Sequence, residues 1–84
     1  MSEINWNTTA PKRPSKHAYL PGGFTAHVTP YENGESIVTV VRMYRVGHEP
    51  HIGAEVRMLV PDGDVDGVIP KLVDIVNAIP TRLP

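Results

Sequence analysis

The chain has 84 residues, a formal net charge of -1, nine Pro, seven Gly and no Cys. This length allows one small domain with a core barely large enough for stability, and the missing cysteines exclude disulfides, thiolate zinc sites and thiol catalysis. The near-neutral charge argues against a polybasic tail that binds nucleic acid. No apolar run approaches the roughly 20 residues of a bilayer span and no signal-peptide region is evident, so a cytoplasmic protein without membrane contact is expected.

Residues 1–20 are polar and lack the periodicity of a helix or a strand. They predict a flexible arm ahead of a single α+β domain over residues 21–84. Lys12, Arg13 and Lys16 make the arm locally basic, and it also contains Trp6, the only tryptophan of the chain. A lone large aromatic residue in a polar arm is either an anchor for a binding surface or an incidental exposed side chain.

A β-hairpin is predicted around Asn33 and Gly34, because both residues adopt the positive φ angles of a type I′ turn. A two-residue loop places Phe24 opposite Met43 and Val28 opposite Thr39. The predicted core face then comprises Phe24, Ala26, Val28, Ile37, Val41 and Met43. The reverse face comprises Thr25, His27, Thr29, Val38, Val40, Arg42 and Tyr44.

A third strand is predicted over residues 54–60, with Val56 opposite Met43, after a connection over residues 47–53. Apolar residues at three- and four-residue steps then predict a helix that begins near Gly67, keeps Pro70 in its first turn and ends before Pro80. Its predicted core residues are Val65, Val68, Leu72, Ile75, Val76 and Ile79. The expected fold is therefore α+β: an antiparallel meander of three strands, or of four, followed by one C-terminal helix.

The sequence carries one motif with a known metal chemistry. Asp62, Asp64 and Asp66 alternate ahead of Gly67 in the way of the first half of a calcium-binding loop. The second half lacks the required carboxylate, since Val73 stands at its twelfth position. A turn and a helix N-terminus with acidic residues explain the pattern better than a calcium site does. No nucleophile beside a base and no phosphate-binding glycine loop is present, so neither a metal, a cofactor nor catalysis is predicted.

The predicted reverse face is partly apolar, and one helix on the other side of the sheet leaves it uncovered. The N-terminal arm, a ligand, another protein or a second copy of this chain in a homodimer could cover it, and we expect a partner there. The residues assigned to partner binding are Trp6, His27, Val38, Val40, Arg42 and Tyr44. The resulting hypothesis is a non-catalytic protein-binding module, with a structural assembly component as an alternative that composition does not separate from it.

The polar arm, the meander and the run from Pro61 and Asp62 into an apolar helix resemble small uncharacterised proteins of actinobacteria and their phages, over residues 17–79. That resemblance implies no role for any residue. The order of meander and helix also resembles the PC4-like transcriptional coactivator family, which implies a dimer that binds single-stranded DNA. The cations available for this less favoured alternative are Lys12, Arg13, Lys16, Arg42, Arg45 and Arg57.

Overall fold

The computed structural model describes residues 4–8 and 15–80, and its fold is α+β. The strands are β1 (Asn7–Thr8), β2 (Lys16–Leu20), β3 (Phe24–Pro30), β4 (Glu35–Val46) and β5 (Glu49–Pro61). A short 3₁₀ turn over Asp62–Asp64 leads into the helix α1 (Val65–Ala78). The five strands lie side by side in chain order, all antiparallel. The predicted antiparallel meander followed by one C-terminal helix is thus confirmed.

The sheet begins earlier in the chain than predicted. Lys16–Leu20 forms β2 and pairs with β3, with Leu20 opposite Phe24. Within β2, Ala18 and Leu20 are buried in the core and alternate with more exposed residues. The boundary placed after residue 20 is therefore wrong, because a five-residue strand with only two core residues is too short to give a clear apolar pattern. Lys12 and Arg13 lie outside the described residues.

The turn between β3 and β4 is confirmed, but the predicted register is wrong by one residue. Asn33 and Gly34 have φ angles of 56° and 73°, and the Glu35 N–H donates to the Glu32 carbonyl at 3.0 Å. The Tyr31 N–H, however, donates to the Glu35 carbonyl at 2.9 Å. Tyr31 and Glu32 thus stand together opposite Glu35, which is the arrangement of a β-bulge. The extra residue shifts all the pairs of β3 with β4.

The shift exchanges the two faces of β4, because successive side chains of a strand point to opposite sides. Val38 now lies opposite Val28, and Val40 lies opposite Ala26. Val38 and Val40 are both 0% exposed and belong to the core beneath α1. The predicted core residues Ile37, Val41 and Met43 lie instead on the other face. The bulge alone accounts for the exchange of the two faces of β4.

The third predicted strand is longer than expected and differs in register. β5 begins at Glu49, directly after a tight turn at Gly47 and His48, so the predicted loop over 47–53 is largely strand. Val56 lies opposite Val40, and a bulge on β5 separates the pair of Met43 with Ile52 from the rest of the ladder. Val60 still reaches the core and Val56 packs against it. β5 is therefore correctly placed as the last strand but was misaligned by the prediction.

The helix α1 covers one face of the sheet with its buried residues Val65, Ile69, Leu72 and Val76. It begins before the predicted start, so Pro70 lies inside the helix beyond its first turn. The carbonyl that loses its partner there belongs to Asp66, an exposed residue, and water can satisfy it. Ile75, predicted as core, is largely exposed, whereas the unpredicted Ile69 is fully buried.

The exchanged faces of β4 lead to a paired test in which Val38 and Ile37 are each replaced by Thr. Thr retains the β propensity of both residues, but at position 38 it buries a hydroxyl group in the core. We expect Val38→Thr to lower the free energy of unfolding by about 2 kcal/mol and Ile37→Thr by less than about 1 kcal/mol, measured by urea denaturation. A larger loss for Ile37→Thr would contradict the observed register.

Candidate functional site

The face of the sheet opposite α1 carries a mixed apolar and polar surface, which we call the open face. Strand alternation and the observed register place its side chains on one side of the sheet. They are His17, Tyr19, Thr25, His27, Thr29, Ile37, Thr39, Val41, Met43, Arg45, Pro50, Ile52, Glu55, Arg57 and Leu59. Within residues 4–8 and 15–80 the only α-helix packs against the other side, so no helix covers this face.

A groove with a volume of about 670 Å³ lies on the open face and continues around the end of the sheet. Its apolar lining includes Val41, Met43 and Pro50, and Arg45 is the charged residue that lines it. Val41 is only 5% exposed, although it faces away from α1, because the neighbouring side chains of the groove shield it. The groove thus combines an apolar lining with the cation of Arg45.

Three rings from β2 and β3 form one wall of the groove. The imidazole rings of His17 and His27 are stacked with centroids 6.0 Å apart, and Tyr19 meets His17 edge-on at 5.7 Å. Tyr19 is 78% exposed, which is unusual for a large ring on a strand. Aromatic side chains contribute large contact areas at little cost in conformational entropy, so this wall is suited to binding.

The predicted partner-binding residues do not form one site. His27 lies on the open face, as expected, but Val38 and Val40 are core residues and are withdrawn from the site. Tyr44 alternates with Met43 and Arg45 and therefore lies on the α1 side of β4, where its ring stacks on His51 at a centroid distance of 5.4 Å. It nevertheless lines the same groove as His27, where the groove continues around the end of the sheet. Val38, Val40 and Tyr44 lie on the α1 side of β4 because of the same one-residue shift in register.

Arg42 also lies on the α1 side, and its guanidinium group binds the end of the helix. It donates to the carbonyl of Val76 at 3.2 Å, to that of Asn77 at 3.3 Å, and to that of Ile79. The last turn of α1 has no basic residue of its own. Arg42 therefore supplies from the sheet the positive charge that favours a helix C-terminus, and its assignment to a partner is corrected to a structural role.

Trp6 acts as an anchor within its own chain. Its side chain is partly buried against the core, and its indole N–H donates to the Asp66 carboxylate at 3.1 Å. The Lys16 ammonium lies 4.6 Å from the centre of the indole ring, within the range of a cation–π contact. Trp6 thus ties the segment before β1 to the start of α1, and Lys16 is engaged with it.

The three aspartates of the calcium-like motif do not converge. Asp62 accepts a hydrogen bond from the Ser36 hydroxyl at 2.7 Å, and Asp66 accepts one from Trp6. Asp64 precedes the first residue of α1. In the part of the chain that the structure describes, no group of three His, Asp or Glu residues is arranged to hold a metal ion. Two of these carboxylates instead fix the start of the helix to the rest of the fold.

Of the cations considered for nucleic acid, Arg45 and Arg57 lie on the open face. Arg45 also donates weakly to the His48 carbonyl at 3.5 Å. Arg57 lies 3.7 Å from Glu55, and both side chains are well exposed. Lys16 and Arg42 have the structural contacts described above. The cationic surface is therefore small and partly neutralised by acid.

The sequence reasoning missed the apolar residues of the open face that are most exposed. They are Tyr19, Met43, Ile52 and Leu59. Tyr19 falls in the predicted arm, and Ile52 falls in the predicted loop over residues 47–53. The strand over residues 16–20 is too short to give a clear apolar pattern, so no signal in the sequence points to Tyr19.

Comparison of the chain with protein-family models, with curated proteins and with solved structures finds no match. Among the described residues, no helix is long and apolar enough to cross a membrane.

The contacts of Arg42 predict a structural effect that Arg45 lacks. We expect Arg42→Met to lower the free energy of unfolding by about 2 kcal/mol, because three carbonyls at the C-terminal end of the helix lose a charged donor, and Arg45→Met to change it by less than about 0.5 kcal/mol. Thermal denaturation measures both. Faster hydrogen exchange at the Ile79 amide, which bonds to the Val76 carbonyl, should accompany Arg42→Met alone. Equal stability of the two variants would contradict the assigned role.

Proposed function

We propose that this chain is a non-catalytic protein-binding module that acts through the groove on the open face. The observation that carries the proposal is an uncovered sheet face whose groove is lined by apolar side chains and exposed rings. Contiguous apolar surface of this kind marks interaction sites more often than isolated exposed residues do. A cytoplasmic location is part of the proposal, and the lack of cysteine favours it.

The chemistry of the groove defines the partner segment that would fit. The shielded position of Val41 next to Met43 favours an apolar side chain in the groove, and Arg45 at its border favours a carboxylate beside that side chain. Tyr19 would lie against the segment, as rigid exposed rings do at binding hot spots. We therefore propose an exposed segment of a protein with an apolar anchor and an adjacent acid.

A random-peptide library panned against the immobilised protein tests this proposal. We expect enriched peptides to combine an apolar residue with Asp or Glu. Tyr19→Ala should weaken the best peptide at least about tenfold, because it removes an exposed ring from the groove wall, and Arg45→Glu should weaken it by charge repulsion. Isothermal titration calorimetry measures the dissociation constants.

The matched control is Ile75→Ala, which removes an exposed apolar side chain from α1, on the other side of the sheet. This variant should bind the selected peptide as the unmodified protein does. Peptides that bind Tyr19→Ala and Arg45→Glu at full strength but fail with Ile75→Ala would place the binding surface on the helix and refute the proposal.

A second candidate function is the binding of single-stranded nucleic acid, and the ring cluster of His17, His27 and Tyr19 is the observation that favours it. Bases stack on aromatic side chains of open sheets, and cations nearby bind the phosphates. The weak point is charge, since Arg57 is close to Glu55 and Arg42 holds the helix. Protein binding therefore ranks first.

Fluorescence anisotropy with a labelled oligothymidine at low salt tests the second candidate. If Arg45 and Arg57 bind phosphates, the logarithm of the association constant should fall with the logarithm of salt concentration with a slope of about -1.4. Tyr19→Ala should weaken binding by removing a stacking platform. Absence of binding at about 100 μM protein would dismiss this function.

A further inference from the structure

The strand β5 lies at one edge of the sheet and is long enough to pair with another strand. Its neighbour in the sheet is β4, and the described residues place no strand on its other side. Unpaired edges are ready templates for strand addition. In β5 the regular stretch is bounded by the bulge near Gly53 and by Pro61, which confines any further pairing to residues 54–60.

The backbone hydrogen bonds show which residues of β5 face outward. The Met43 N–H donates to the Gly23 carbonyl at 3.4 Å, so odd-numbered residues of β4 bond towards β3. The Asp62 N–H donates to the Gly34 carbonyl at 2.8 Å, just beyond the ends of β5 and β4. The even-numbered residues of β4 therefore direct their backbone groups towards β5. Between residues 54 and 60, the even-numbered residues of β5 lie opposite the even-numbered residues of β4 and bond to them. Successive residues of a strand direct their backbone groups to opposite sides, so the odd-numbered residues of β5 bond in the other direction.

It follows that Glu55, Arg57 and Leu59 direct their backbone N–H and C=O groups away from the sheet. Glu55 and Arg57 also carry opposite charges on the same face, two residues apart, and both side chains are well exposed. A strand with this pattern is complementary to itself. When it pairs antiparallel with a copy about a two-fold axis at Val56, each Glu55 lies opposite an Arg57.

Two other symmetric registers are less favourable. An axis at Glu55 places two carboxylates opposite each other, and an axis at Arg57 places two guanidinium groups opposite each other, which is destabilising in a cross-strand pair. The axis at Val56 also sets Met58, 41% exposed at the edge, opposite the small side chain of Ala54. The charges and the side-chain sizes therefore select the same register.

We propose that two copies of this chain form a dimer by antiparallel pairing of their β5 strands, with Glu55 of each copy opposite Arg57 of the other. The two five-stranded sheets become one continuous sheet. The two-fold symmetry closes the assembly, so no further copies add at this edge. Dimerisation through this edge is independent of the function proposed for the groove.

Charge reversal tests the dimer. Light scattering after size exclusion should find a dimer of the unmodified protein at high concentration. Glu55→Arg and Arg57→Glu should each raise the dissociation constant of the dimer by about tenfold or more, because two attractive pairs become repulsive. Both positions are exposed, and circular dichroism of each variant checks that the fold is retained.

The decisive sample is an equimolar mixture of the two single variants. One copy then has Arg at both positions and the other has Glu at both, so the mixture should form a heterodimer although each variant alone is monomeric. An ion pair within one strand cannot produce this result. A monomeric unmodified protein at about 1 mM, or single variants that dimerise as well as the unmodified protein, would overturn the proposal.

A disulfide test reports the register without changing any charge. The chain has no cysteine, so Val56→Cys introduces a single thiol at the symmetry axis. Opposed residues of a non-hydrogen-bonded antiparallel pair have Cα atoms about 4.5 Å apart, within the range of a disulfide. Val56→Cys should oxidise to a covalent dimer. Leu59→Cys should not, because residue 59 of one copy is far from residue 59 of the other in this register. The reverse outcome would contradict the register.

Discussion

The hydrogen bond from the Tyr31 N–H to the Glu35 carbonyl, 2.9 Å long, determines which side chains form the core. It places an extra residue between the end of β3 and the turn and thereby aligns Val28 with Val38. Without that residue, the same turn would align Val28 with Thr39, and the opposite side of β4 would face α1. Every later feature of the molecule, including the open face and the position of Arg42, depends on this choice.

Local features of the sequence predicted the local structure well. Asn33 and Gly34 form the predicted turn, and the helix lies where the three- and four-residue spacing places it. Local features could not predict how β3 pairs with β4, because β4 is apolar on both faces. Ile37 and Val41 alternate with Val38 and Val40, so either alignment buries apolar side chains, and the choice depends on packing against α1 and on the bulge.

The candidate site was also predictable only in part. The presence of an uncovered, partly apolar sheet face was predictable from a meander with a single helix, but the identity of its residues was not. Arg42 illustrates the reason, since an arginine on a strand can be assigned to solvent or to a partner until the end of the helix is placed beside it. Trp6 is similar, because its partner Asp66 is sixty positions away in the chain.

The groove and the proposed dimer edge use different parts of the same sheet. The groove is lined mainly by β2, β3 and β4, whereas the pairing involves residues 54–60 of β5. In an antiparallel edge pair the two-fold axis is perpendicular to the sheet, so both open faces point to the same side and both helices to the other. The dimer would thus present two grooves to one partner surface. A partner with two suitable segments would be bound with increased avidity, and this gain requires no contact beyond those of a single groove.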